Sequence, residues 1–358
     1  MDPITGVIAS FVAPAIVCAL VMALGLAYRP KTRNESARDG KRGGPWSALG
    51  LGLAAIVAGS WAGGLGARVT AEGPTGLYPR GVNDWILLVV LCAVLVGGAQ
   101  GVLCSRGGHR DGRAAAAGVL LRFLIATGAA FAVLRLLAGE RLGGAGLLGW
   151  SSALGCATAV VWCSLDRAAL RDERQGGRIG ALLVAAITAA TSGPPLVAWG
   201  MVTGGQVALA IASALGVLAL LRRAGAGVAT IAQGGGAVVA LSLGTIWSAA
   251  SFWTEIPVPI LALLWCTPLA LWAGVAPGVR QLKGWRFTLS LVLTALIPAG
   301  VALALTLARA PKLDFVERSG EPAGPRSGAE VVFSDAPECG QAVSPRDLLA
   351  LGVGSPGV

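Results

Sequence analysis

Three polar side chains interrupt otherwise apolar stretches of this sequence, and their types could do chemistry. Arg122 stands in VLLRFLIATGAAFAVLRLL, Gln100 in LVGGAQGVL and Gln233 in TIAQGGGAVV. An arginine at membrane depth is costly and marks a positive site for an anionic solute or a lipid headgroup. A plainer account exists. Arg122 and Arg135 are thirteen residues apart, about 20 Å along a helix, and both could snorkel to opposite headgroup layers of a core about 30 Å thick. Amides at membrane depth face other helices, because hydrocarbon offers them no partner. Counted from the span ends given below, Gln100, Arg122 and Gln233 all fall in the inner half of the membrane. They are expected to form one polar, substrate-binding layer facing the bundle interior.

Other chemistries lack their residues. Asp166 is placed at an inner span end, and Asp84, Glu140 and Glu255 at outer ends. No carboxylate falls near the middle of a span, which lowers the expectation of a proton- or sodium-coupled carrier. One histidine, His109, and seven cysteines without a CxxC pair give no metal site and no haem attachment. No cofactor is expected. Serines and threonines in the spans have no histidine or aspartate beside them, so a hydrolytic triad has no base. An enzyme is not the expected class.

Two stretches predict interrupted helices. Gly193, Pro194 and Pro195 fall within one apolar span, and Gly234, Gly235 and Gly236 within another. Proline removes a backbone donor and clashes with the preceding turn; glycine costs a helix about 1 kcal/mol relative to alanine. Transporters use such breaks to build substrate sites. Close helix packing through small residues explains the same glycines.

The elements that must position these residues are long and apolar. Of 358 residues, 55% are hydrophobic and 13% charged, with a mean hydropathy of +0.72. The fold class is an all-α polytopic integral membrane protein. Ten spans are expected, near 4–28, 46–67, 84–105, 114–138, 144–165, 179–202, 205–221, 225–251, 256–278 and 285–309. Loops after odd-numbered spans hold eighteen Lys and Arg; the opposite loops hold only Arg68, Arg80 and Arg141. The positive-inside rule therefore puts odd loops in the cytoplasm and both termini outside. Trp46, Trp162 and Trp285 at inner ends, with Trp85, Trp199 and Trp253 at outer ends, read as an interfacial belt. The N-terminus lacks the positive n-region of a cleaved signal and is expected to remain as a helix.

Composition changes at residue 310. Residues 1–309 read as the transmembrane bundle, and 310–358 as a flexible exoplasmic tail with seven acidic and four basic side chains. Within the tail, 330–333 could form a short strand. SPRDLLALG (344–352) reads as a short helix with Ser344 as N-cap and Pro345 in the first turn. The tail is a candidate contact for other membrane or periplasmic subunits, and its lone Cys339 a candidate intermolecular thiol. Arginine outnumbers lysine, 24 to 4, as in GC-rich bacterial genomes, so the bacterial inner membrane is the expected location. The net charge of +10 lies mostly in topology-setting loops, so nucleic acid is not an expected partner; the lipid bilayer is.

The repeated tripeptide Ala-Gln-Gly at 99–101 and 232–234 suggests two inverted halves of five spans. Depth argues against it, since under inversion the counterpart of Gln100 falls near residue 241. Two function classes follow. One is a permease-like carrier or channel for a small, anionic solute. The other is a non-catalytic membrane subunit that anchors or assembles a complex.

Overall fold

The structure, a computed structural model, describes residues 11–27, 44–62, 71, 82–106, 112–175, 179–224, 231 and 234–309. Gln233, Cys339 and the strand and helix expected within 310–358 lie outside the described residues. Among the described residues the chain is helical, with no strand. The helices are α1 (Ala13–Ala27), α2 (Gly44–Ala62), α3 (Val82–Arg106), α4 (112–142), α5 (144–175), α6 (Gly180–Ala198), α7 (Val202–Arg223), α8 (Gly235–Trp253), α9 (Val258–Cys266) and α10 (Trp285–Arg309). After α9 the chain tightens into a 3-10 helix, Thr267–Val275, with Pro268 in its first turn. Proline has no N–H to continue the α-helical ladder, which accounts for the change there.

Among the described residues, seven helices are long and apolar enough to cross a membrane. α1, α2 and the run from α9 through the 3-10 helix are shorter apolar helices. Uniformly apolar helices have two possible surroundings, the protein core or lipid. α8 takes the first: every residue from Gly235 to Ala250 is buried. α4 takes the second: Leu120, Leu121 and Leu124 are each more than half exposed, and only 22% of its span is buried. The helices pack around α8, with α5 and α3 against its flanks and α6 against α7 as the most extensive neighbouring pair.

Gly143 separates α4 from α5. Its φ of 61° and ψ of 172° lie in a region almost reserved for glycine. The chain folds back there, and the two helices close on each other: a Cβ on Gly155 would lie 2.7 Å from the Thr127 backbone nitrogen. Such proximity lets two backbones pack through small residues.

The helix containing Gly193, Pro194 and Pro195 is assigned without interruption from Gly180 to Ala198. The chain turns at Trp199–Met201, with Gly200 at φ 86°, so α7 already begins at Val202 and includes residues 203–205. Backbone bonds from Trp199 to Pro195, Gly200 to Val197 and Met201 to Leu196 close the end. Gly193 is buried against Leu209, Pro195 is buried and Pro194 is exposed. One belt residue is also placed differently from expectation. Trp162 is 1% exposed and belongs to the core, whereas Trp253 and Trp285 are largely exposed at helix ends.

Candidate functional site

Four helices bring polar groups to one point. α3 supplies Gln100 near its C-terminal end, α4 supplies Arg122, α5 supplies Asp166, and α8 contributes its first turn. Arg122 Nη2 donates to Asp166 Oδ2 at 2.6 Å, and Gln100 Nε2 donates to the same oxygen at 2.9 Å. Arg122 Nη1 lies 3.5 Å from Cys163 Sγ, and the guanidinium stands 5.5 Å from the centre of the Trp162 ring. One cation is thus held by a carboxylate, a thiol and an aromatic face.

Asp166 is 5% exposed, so its charge is removed from water together with its partners. Its Oδ1 faces the start of α8, where a Cβ on Gly236 would lie 2.7 Å away. The glycines of that segment therefore have a steric purpose. Gly236 admits the carboxylate, and Gly234, at φ 138°, makes the turn that starts the helix. The Gly234 carbonyl in turn approaches Gly97 of α3, at 2.6 Å from a Cβ built there. The N-terminal end of a helix carries partial positive charge, which favours a carboxylate at that place.

The structure thus brings Gln100 and Arg122 together, but onto a third residue. Asp166 lies inside the membrane-crossing stretch Leu142–Arg171, five residues from its end. By sequence alone it falls at a span boundary beside Arg167, where a carboxylate would meet water; the fold buries it instead. A usable signal was the register of the α4–α5 hairpin. Arg122 is 21 residues before Gly143 and Asp166 is 23 after it, so a fold at that glycine sets them at nearly one level.

Chemically the cluster is close to neutral. A buried ion pair offsets its desolvation only with good geometry and further hydrogen bonds. Asp166 Oδ2 has both, from arginine and amide. Gln100 Oε1 is buried and has no hydrogen-bond partner among the described residues. Arg122 uses two of its five N–H donors on Asp166 and Cys163. No group of three metal-ligating side chains occurs among the described residues.

No family model, no curated protein and no solved structure matches the chain. The seven membrane-length apolar helices describe a multi-pass membrane protein.

Proposed function

We propose that the chain is a permease-like carrier for a small anionic solute in the bacterial inner membrane, with Arg122 as the anion-binding cation and Asp166 as its exchangeable counterion. The observation behind this reading is the Arg122–Asp166–Gln100 cluster within membrane-crossing segments. Paired ionisable groups at membrane depth mark substrate and ion pathways. In this reading, protonation or displacement of Asp166 releases Arg122 to the solute, and Gln100 and Gln233 complete the layer. Ten spans, with both termini and the 310–358 tail outside, belong to the same proposal, with the three shorter apolar helices crossing as well.

The test is thermal stabilisation of the purified protein by a panel of small anions. Arg122→Ala should abolish any anion-dependent shift. Asp166→Asn, which mimics the protonated acid, should enlarge it at neutral pH. Absence of a response in both the parent protein and D166N would sink the carrier reading.

A second reading draws on a different observation. The interior around α8 is filled with side chains, Gly235 to Ala250 all being buried. That density suits a non-catalytic membrane subunit whose helices and 310–358 tail, with Cys339, assemble a larger complex. Recovery of a stoichiometric partner after purification in mild detergent would favour it.

A further inference from the structure

A second basic feature lies apart from the Asp166 cluster. Between α5, the 3-10 helix and α10 is a partly open cleft of about 450 Å3. Arg167 and Arg171, one helical turn apart on α5, stand along it beside Ser164 and Trp272. Phe287 and Leu291 of α10 form an apolar wall. The wall is firm, because both residues are 1% exposed and belong to the core.

The polar edge is held in place. Trp272 Nε1 donates to Ser164 Oγ at 2.7 Å, and Arg171 Nη1 donates to the Gly274 carbonyl at 3.1 Å. That bond uses one of the five guanidinium N–H groups of Arg171 and fixes its position. Arg167 is exposed and makes no hydrogen bond or ion pair among the described residues. The apolar stretch Leu142–Arg171 ends at Arg171, so both cations fall in its last five residues.

Two arginines at the end of that stretch, beside the half-exposed Trp272 and above a buried apolar wall, match one chemistry. Arginine forks bind phosphate oxygens in a bidentate manner, and basic pockets between helices at the membrane face take anionic headgroups. We propose that this cleft binds the phosphate headgroup of an anionic phospholipid, with Arg167 and Arg171 on the phosphate and an acyl chain along the exposed face of Trp272. Free inorganic phosphate would satisfy the arginines but leave the Trp272 face uncovered, so the lipid is the occupant the whole cleft fits.

The test uses the full chain in mild detergent, titrated with phosphatidylglycerol or phosphatidylcholine, and separately with inorganic phosphate. Native mass spectrometry reads lipid retention, and thermal unfolding reads the shift. The parent protein should retain the anionic lipid preferentially. Arg167→Gln should weaken that retention about fivefold, as expected for one interfacial cation. Trp272→Ala, which removes the exposed apolar face but keeps both arginines, should also reduce lipid retention. Arg223→Gln, an exposed charge loss on α7, should leave the preference intact. The proposal is overturned if both lipids are retained equally, or if R223Q loses as much preference as R167Q. It is also overturned if inorganic phosphate stabilises the protein as well as the lipid does.

Discussion

Arg122 and Asp166 are 44 residues apart in sequence and 2.6 Å apart in space. On one unbroken helix that separation would be about 66 Å. Their contact exists because the chain reverses at Gly143, and it ties two neighbouring helices through a buried charge pair. Removing one member and removing both have unequal consequences. Removing either leaves the other charged and desolvated, whereas removing both leaves a gap without a charge.

The first prediction concerns this asymmetry. Asp166→Ala or Arg122→Ala should each lower stability by about 3–5 kcal/mol, while the double change R122M/D166L should cost far less. A double-mutant cycle by detergent-induced unfolding measures the difference. Additive losses would show that the two charges are not coupled.

Gly236→Ala places a methyl group 2.7 Å from Asp166 Oδ1 and should destabilise by about 1–3 kcal/mol through overpacking. Gly98→Ala, with nothing within 4 Å of the added atom, should be neutral or slightly stabilising. The melting temperatures of the two variants, compared in the same detergent, decide the matter.

At Gly143 the relevant property is backbone conformation, not space. A Cβ there meets no atom within 4 Å, yet φ is 61°. Gly143→Ala should therefore cost about 1–3 kcal/mol. An unchanged melting temperature would mean that the turn adopts another conformation.

Topology offers a fourth test. Alkaline phosphatase fused after residue 310 should be active in a bacterial host, and a fusion after residue 224 inactive. Activity in the reverse pattern would invert the whole orientation.

Some of this was legible in the sequence for simple physical reasons. Polar residues inside apolar runs are costly, so Gln100 and Arg122 announced themselves, and they do meet. Asp166 did not, because apolar run length marks its position as a boundary and only the hairpin register reveals its level. Helix existence was equally legible: α10 spans Trp285–Arg309, close to the expected 285–309. The surroundings of a helix were not. α4 and α8 are both largely apolar, yet the leucines of α4 face outward and α8 is buried from Gly235 to Ala250. Hydrocarbon is as apolar as a protein core, so composition cannot separate the two. Trp162 shows the same ambiguity on a single residue: an indole near a span end suits the headgroup layer, but Trp162 is buried against the Arg122 guanidinium.

The reversal at Gly143 also orders events during synthesis. An arginine inside a membrane helix costs about 2.5–3.5 kcal/mol at the helix centre by insertion scales. When α4 leaves the ribosome, the carboxylate that answers Arg122 has not been made. Forty-four residues must follow, about 2–9 s at ordinary elongation rates. The charge of Arg122 is therefore answered only once α5 has been made and has folded back at Gly143.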